Sequence, residues 1–587
     1  MLKVVGTIGA CVLTFLFFPD SNAESQTGTS RPSGLDGIAL VQAAAPNPLQ
    51  YLDLKKKAQS LVEKEHFAAA EPLTERLIHD YPIDGQNWLV AARVRRKLGK
   101  FEQALSAYAK AIELLGPGVP GKAEYWQAVS QAALGQTTSA LETLAHLVNE
   151  DRYGHRPSLY DDDNLKSLQS EIQFAQIAGR EASQAWGRNE GWTRDIDYLV
   201  AEIVRVNPDY HDRPLPAAFE QRYKELRDAI PKLNDEQIYV GMSRMLASLN
   251  QGHTNLWPSV PASRMTFKVL PLQFYIFPEG IFVVGADADN QDLIGARLDK
   301  IQNTPALEAL RKIGEIHASD SGMEVLWWGP KFLTLAQELK GLGIVQRTDR
   351  IEVSLRKPSG VAVSRILTTT AFEGTPKLHA APGHTPPLAF GNVDKAHWFV
   401  PEPDAHALYV QVNQIADDPE ETLEAFGLRL RNVLKDDQIR NVVLDLRHNN
   451  GGNTFTYVEL LRTLIGFSQR DERTLYVIVG RGVYSAAANL VADLERLAAP
   501  IFVGEPTSMT GNNYGDESEV MLPYSGIWAG VTGVKWQLGY PSDLRRSIVP
   551  QIPVALTAAE YFAGRDPVWD VVKTLCSHAK ENHGTAP

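Results

Sequence analysis

Strand-like and helical stretches alternate over the carboxyl-terminal third of the chain, and this alternation constrains the fold more than any other feature. Strands are predicted at 442–446, 475–479 and 501–503, with helices at 457–464 and 485–497. Strands that alternate with helices form a parallel or mixed sheet whose carboxyl ends carry the turns. We therefore expect an α/β core over residues 376–580.

A second alternating region, residues 263–375, is predicted to be a separate β-rich module. Strands are predicted at 274–276 and 281–284, a turn and strand at 294–301, and a helix at 306–313. This order of elements resembles a PDZ-like module.

The region before these modules is predicted to be helical. Over residues 49–182 the spacing of Trp88, Gly99 and Ala104 recurs at about 34 residues, which resembles the tetratricopeptide repeat. Stacks of such repeats bind peptides or partner proteins, although a spacer or a helical cap is the alternative. Residues 186–262 form a further helical segment without this period.

The first residues indicate export. Met1–Ala23 has the pattern of a signal peptide: a lysine, an uncharged apolar run and small residues at the end. An uncleaved anchor is the alternative. Residues 24–48 are rich in Ser, Gly, Pro and Ala and are predicted to be a flexible linker. We expect a secreted or periplasmic protein with no membrane span after cleavage.

Charge and cysteine content exclude several functions. The chain has 58 Lys and Arg against 70 Asp and Glu, a net charge of −12, whereas nucleic-acid binding depends on clustered cations. Its two cysteines, Cys11 and Cys576, are too few for a disulfide scaffold or a thiolate zinc site. Neither a metal nor a cofactor is expected.

Three loops carry groups suited to chemistry. The run 447–453 follows a buried strand, and its glycines can turn backbone N–H groups into a cleft. Ser485 begins a predicted helix, where an ordinary N-cap serine is the alternative. His253 lies in the loop Gly252-His253-Thr254, where it could equally be structural.

Taken together, these motifs resemble the S41 serine peptidases, the family of the C-terminal processing proteases and the tricorn core. The resemblance runs from about Trp192 to Val572. It rests on the Gly-His-Thr loop, Asp-Leu-Arg-x-Asn-x-Gly-Gly at 445–452, Ser-Ala-Ala at 485–487 and the Asn-Tyr-Gly-Asp loop at 513–516. It implies a multidomain α plus α/β protein: helical repeats, a helical cap, the PDZ-like module and a ClpP/crotonase-like core.

The resemblance also implies roles for individual residues. Ser485 would be the nucleophile, and the N–H groups of Gly451 or Gly452 and of Ala486 would hold the oxyanion. One branch of the family uses a lysine about 25 residues after the serine, where this chain has 509–512 without a lysine. The tricorn-like branch uses a histidine at the place of His253.

A histidine base needs a group that orients it. The tricorn pattern has a serine before its histidine, where this chain has Gly252, and a glutamate near the tail, where this chain has Asp543. We expect Asp543 to orient His253, directly or through a neighbour. The alternative is that Asp543 pairs with Arg545 or Arg546 in a structural turn.

The sequence thus predicts a secreted or periplasmic serine endopeptidase that cleaves proteins or peptides, with a protein partner possible at the repeats. Activity is expected to fall below about pH 6 to 7, as for an ordinary histidine base. The alternatives are a catalytically silent ligand-binding protein on the same fold and an adaptor whose repeats are the functional part.

Overall fold

The computed structural model describes residues 48–116, 123–149, 156–180, 186–258, 264–372, 378–380 and 385–583. The chain divides into two compact units, residues 1–116 and 117–587. The predicted signal peptide and linker lie outside the described residues, except Pro48, where the first helix begins. Within the described ranges, no helix has both the length and the apolar character needed to cross a bilayer.

The first unit consists of four helices in which each helix packs on the next. Ala70 and Ala104, which the repeat pattern places at helix crossings, are fully buried. Gly99 has a φ of +74°, which suits glycine at the turn between two helices. The helices are α1 Pro48–Glu63, α2 Phe67–Asp80, α3 Gly85–Lys97 and α4 Phe101–Leu115.

The second unit begins with further helices, so the region predicted as one domain over 49–182 is distributed over both units. Ala140, the next equivalent of Ala104, is again fully buried. The tetratricopeptide assignment and the boundaries of this domain stay predictions. The helices are α5 Ala123–Ala133, α6 Thr137–Asn149, α7 Arg156–Tyr160 and α8 Ile172–Ile177.

The helical segment predicted over 186–262 packs on a three-stranded antiparallel sheet of order β1-β16-β15. Two of these strands come from far along the chain, and the motif 513–516, interpreted from the sequence as a loop, lies inside β15. That interpretation was wrong because the strand is stabilised by pairing with β16, a contact with no local signal. The elements are α9 Arg188–Val206, α10 Ala217–Ala229, α11 Asp235–Ala247, β1 Asn255–Trp257, β15 Asn512–Met521 and β16 Trp528–Gln537.

The β-rich module predicted over 263–375 is an antiparallel sheet of order β3-β4-β5-β7-β8, with β6 pairing beside β5 and its own apolar core. The predicted strands and helix are confirmed, whereas the PDZ-like assignment stays a prediction. The elements are β2 Lys268–Val269, β3 Leu272–Phe277, β4 Gly280–Ala286, β5 Arg297–Ile301, β6 Thr304–Pro305, α12 Ala306–Gly314, α13 Met323–Phe332, α14 Ala336–Gly341, β7 Arg350–Arg356, β8 Ala362–Thr368 and β9 Thr370–Ala371.

The α/β core is confirmed as a mixed six-stranded sheet of order β10-β11-β12-β13-β14-β17, parallel except for β10. Successive residues of β12 face opposite sides: Val442 and Leu444 pack on α15–α17, and Val443 packs on α19. The elements are β10 His397–Glu402, β11 Ala407–Val412, α15 Leu423–Val433, β12 Asn441–Asp445, α16 Val458–Ser468, β13 Thr474–Val479, α17 Ala486–Ala498, β14 Ile501–Gly504, β17 Ile552–Pro553, α18 Ala558–Phe562 and α19 Pro567–His583.

Candidate active site

Ser485 lies at a sharp turn between β13 and α17. Its φ of +52° and ψ of −128° belong to a conformation that residues with a side chain rarely adopt. Strain of this kind is typical of a nucleophile at a strand-to-helix turn, because it presents the hydroxyl ahead of the helix. The Ser485 side chain therefore projects from the carboxyl edge of the parallel sheet.

His253 is placed opposite this serine by pairing between distant strands. Immediately after it, β1 pairs with β16, with Asn255 opposite Gly530. The side chain of Asn255 also donates to the Gly252 carbonyl oxygen and accepts from the Ala318 N–H at 2.8 Å. These bonds hold the His253 loop at the junction of the helical segment, the β-rich module and the core.

The two predicted catalytic groups are in contact. His253 Nε2 lies 3.1 Å from Ser485 Oγ, although the residues are 232 positions apart in the chain. Only 7% of His253 is exposed, and this burial lowers its pKa to about 4, against a smaller opposite effect of the Tyr514 backbone. The imidazole is therefore neutral near pH 7 and able to accept a proton.

The other ring nitrogen of His253 contacts a residue that the sequence did not single out. Tyr484 places its hydroxyl 3.1 Å from Nδ1, and its ring stacks on the imidazole with the centroids 4.5 Å apart. Tyr484 precedes Ser485 in the chain, so the same strained turn presents both hydroxyls. Nothing in the sequence around Tyr484 indicates that its side chain contacts His253.

Asp543, predicted to orient His253, does not contact it among the described residues. Its carboxylate accepts from the backbone N–H and the guanidinium of Arg545, and Arg545 also pairs with Glu495. The Arg545 guanidinium lowers the pKa of Asp543. The structural turn, which was the alternative, is the arrangement found, because an adjacent guanidinium satisfies the carboxylate on the protein surface.

The loop after β12 brings its glycines against Ser485. Asn449 is buried, and its Oδ1 accepts from the Gly451 N–H at 2.9 Å. A side chain on Gly451, whose φ is +106°, would begin 2.6 Å from Ser485 Cβ. Only glycine allows the loop and the serine to approach so closely.

The backbone N–H groups at this point differ in their availability. The Gly451 N–H is already engaged by Asn449, so Gly451 is a poor oxyanion donor, contrary to the expectation. The N–H groups of Gly452 and Ala486 donate to no acceptor among the residues described. These two groups are the ones free to bind a developing negative charge.

Met509 occupies the place at which a lysine was sought in the sequence. Its side chain is fully buried, and its sulfur accepts from the Ser485 N–H at 3.3 Å. A thioether cannot accept the serine proton as an amine would. Of the groups that contact Ser485 here, His253 is therefore the one able to act as a base.

A groove of about 730 Å³ leads to this loop from the β-rich module. Trp327 and Trp328 of α13 line it, whereas Trp528 and Trp536, also considered as aromatic wall residues, belong to β16. The groove is bounded by β3, by α13 and by the loop after β12; its wall includes Tyr275, Lys331, His448, Gly451 and Gly452. Among the described residues, no group of three His, Cys, Asp or Glu is arranged to hold a metal ion.

Comparison of the sequence with known proteins matches a short stretch of this chain. No protein-family model matches the chain. The cytochrome c-type biogenesis protein CycH of Bradyrhizobium diazoefficiens is 34% identical over 80 residues, which are 13% of this chain. The match covers 22% of CycH, so this chain spans only a minor part of that relative.

Solved structures give a broader likeness. Mature CPAF complexed with lactacystin matches 67% of this chain and 99% of its own, with 12% identity and a TM-score of 0.50. The photosystem II D1 C-terminal processing protease matches 63% of this chain and 94% of its own, at 16% identity and a TM-score of 0.31. The tricorn protease matches 67% of this chain and 37% of its own, at 10% identity and a TM-score of 0.30. Over about two thirds of its length the chain has the fold of mature CPAF, which confirms, for the fold, its resemblance to the S41 peptidases.

Proposed function

We propose that this chain is a serine peptidase of the processing-protease type. The observation that supports this most directly is the 3.1 Å contact between Ser485 Oγ and His253 Nε2, at a strained turn beside unpaired N–H groups. A nucleophile, a neutral base and oxyanion donors at one point are what acyl transfer requires. The fold shared with mature CPAF agrees with this chemistry.

In the proposed reaction, His253 Nε2 accepts the Ser485 hydroxyl proton while Oγ forms a bond to the carbonyl carbon of the scissile peptide. The carbonyl oxygen becomes an oxyanion that the N–H groups of Gly452 and Ala486 bind. His253 then gives its proton to the leaving amine, which breaks the C–N bond and leaves an acyl group on Ser485. Water, deprotonated by His253, hydrolyses that ester and regenerates the serine.

The substrate that suits this site is an extended segment of protein. Gly451 and Gly452 are part of the wall of the groove of about 730 Å³, and its aromatic residues offer apolar contacts to side chains of a bound peptide. We propose that the β-rich module helps to hold the substrate, and that the amino-terminal helical repeats bind a partner or a further part of it. The proposed location is secreted or periplasmic, on the basis of the Met1–Ala23 pattern.

The test is covalent labelling with a fluorophosphonate reagent, which reacts with an activated serine. Wild type should be labelled stoichiometrically, and Ser485→Ala should not be labelled at all. Ser577→Ala is the control, because Ser577 is an exposed serine on α19 whose hydroxyl donates to the Lys573 carbonyl oxygen of the same helix. Folded wild type that neither labels nor cleaves an unfolded protein such as casein would refute the proposal.

A further inference from the structure

The position before the catalytic-site histidine is a glycine, and the space that its missing side chain leaves is filled by two polar groups. A Cβ on Gly252 would lie 2.5 Å from Asp320 Oδ2 and 2.8 Å from the Tyr484 hydroxyl oxygen. Asp320 Oδ2 also accepts from the Gly252 N–H at 2.9 Å. The absence of a side chain at 252 therefore lets a tyrosine hydroxyl and a carboxyl group approach the His253 loop together.

The chemistry of the imidazole defines what the group at Nδ1 must do. For Nε2 to accept the serine proton, the neutral ring must carry its hydrogen on Nδ1. An oxygen 3.1 Å from Nδ1 can accept that hydrogen, and the Tyr484 hydroxyl is at this distance. The stacked ring of Tyr484 also restricts rotation of the imidazole, because the two planes are only 22° apart.

We propose that Tyr484 is the positioning residue of His253, in place of a carboxylate: its hydroxyl bonds to Nδ1 and its ring fixes the imidazole plane. This inference rests on the proposed function, since it assigns the orientation of the same base. Gly252 is what makes the arrangement possible, and Asp320 holds the loop by its bond to the Gly252 N–H.

Asp320 is itself held by its surroundings. Its backbone N–H donates to Glu324 Oε1 at 2.7 Å, at the start of α13. Burial, and then the nearby Glu324 charge, raise the pKa of Asp320 to about 8, so its carboxyl group retains a proton near neutral pH. Because the Asp320 carboxyl group is uncharged, it adds no negative charge to that of Glu324 in the buried region beside Tyr484.

The first experiment compares Tyr484→Phe with Tyr223→Phe. Both remove one hydroxyl and keep the ring, and among the described residues the Tyr223 hydroxyl bonds to Asp197, at 2.7 Å, outside the site. With a fluorophosphonate, Tyr484→Phe should lower the maximal inactivation rate about 10- to 100-fold, a part of what a general base contributes, with little change in the half-saturating concentration. Tyr223→Phe should match wild type. A wild-type rate in Tyr484→Phe would overturn the inference.

The second experiment uses Gly252→Ala, with Gly466→Ala as its control because a Cβ there meets nothing within 4 Å. The alanine methyl should displace the tyrosine hydroxyl and the Asp320 carboxyl group, and should slow labelling at least as much as Tyr484→Phe. In the double variant the two losses should add only in part, since both variants remove the tyrosine contact. Fully additive losses would mean that Gly252 acts by another route, and would contradict the inference.

Histidine ¹⁵N NMR reads the contact without relying on catalysis. The signal that His253→Ala removes should report a hydrogen on Nδ1 in wild type and should move in Tyr484→Phe. If wild type never labels but this shift occurs, the proposed function fails while the contact stands. If wild type labels and neither the rate nor the signal responds to Tyr484→Phe, the positioning role fails while the peptidase stands.

Discussion

Two loops of this protein were both expected to serve the same imidazole, and they differ in burial. The His253 loop is closed in by strands and by the α13 region, and His253 is only 7% exposed. The tail loop, residues 540–547, lies on the surface, where Leu544 is 87% exposed. Polar groups in the first loop depend on one another, whereas in the tail loop Arg545 pairs with Asp543 and with Glu495.

The comparison of the two loops shows which polar residues are available for function. Asp543 forms an ion pair with Arg545, which is only two residues away in the chain. Such a local, partly exposed pair contributes little to the free energy of folding. Among the described residues no carboxylate pairs with His253; hydroxyls lie against both of its ring nitrogens, and the Tyr514 backbone also bonds to the ring. A buried group such as His253 is therefore better suited to catalysis than a surface group such as Asp543, whose charge is already paired.

The largest expected effect separates the two loops directly. His253→Ala should lower casein hydrolysis and fluorophosphonate labelling about 10³-fold, because a positioned general base contributes on this order. Asp543→Ala should leave both within about a factor of two. Steady-state rates of the purified variants check this. Equal losses in the two variants would show that Asp543 takes part in the active site after all.

A methyl group at Gly451 tests how tightly the loop after β12 packs on the serine. Gly451→Ala should lower activity about 10²-fold and stability by about 1–3 kcal/mol, because the new Cβ would overlap Ser485 Cβ and the φ of +106° disfavours alanine. Gly391→Ala is the control, since its nearest atom would be 3.4 Å away. Activity and denaturation should be measured together; a fully active, stable Gly451→Ala enzyme would show that the contact is not required.

The pH dependence tests the burial of His253. Because burial lowers its pKa to about 4, activity should persist through pH 5 and fall only near pH 4, not near pH 6 to 7 as the sequence suggested. Labelling rates measured from pH 3.5 to 8 at constant ionic strength give the midpoint. If the labelling rate instead fell with a midpoint near pH 6.5, His253 would have the pKa of an imidazole exposed to water, which would contradict its burial.

The same burial has a consequence for folding. The unfolded chain binds a proton on His253 below about pH 6.5, and the folded protein does so only near pH 4. The stability that neutral His253 contributes is thus complete above about pH 6.5 and is lost as the pH falls towards 4. Denaturation of wild type and His253→Ala at pH 5 and pH 7.5 should show a smaller loss of stability in the variant on acidification.

The smallest effect is expected in the tail loop. Asp543→Ala should change the free energy of unfolding by less than about 1 kcal/mol, because ion pairs exposed to solvent contribute little. Arg545 keeps its second partner, Glu495, in that variant. Urea denaturation measures the change, and a loss of several kcal/mol would mean that the tail loop is more than a local turn.

Much of the architecture could be predicted because its signals are local. Strands such as β12 and β13 and helices such as α16 and α17 follow from apolar periodicity and turn residues. The hairpin of β15 and β16 was missed, since its stability comes from pairing with β1 and packing on the helical segment. Ser485 and His253 were found through motifs, and Tyr484, Asp320 and Met509 were not, because each acts only through a contact with residues distant in the chain.

Residue types and their local order were enough to indicate a serine and a histidine suited to acyl transfer, and an α/β core with glycines at a strand end. Which group faces each nitrogen of His253, which N–H groups remain unpaired and which carboxylate is already satisfied became clear only in three dimensions. The reason is physical: apolar patterns repeat over neighbouring residues, whereas burial and hydrogen-bond partners depend on how segments more than 200 residues apart come together.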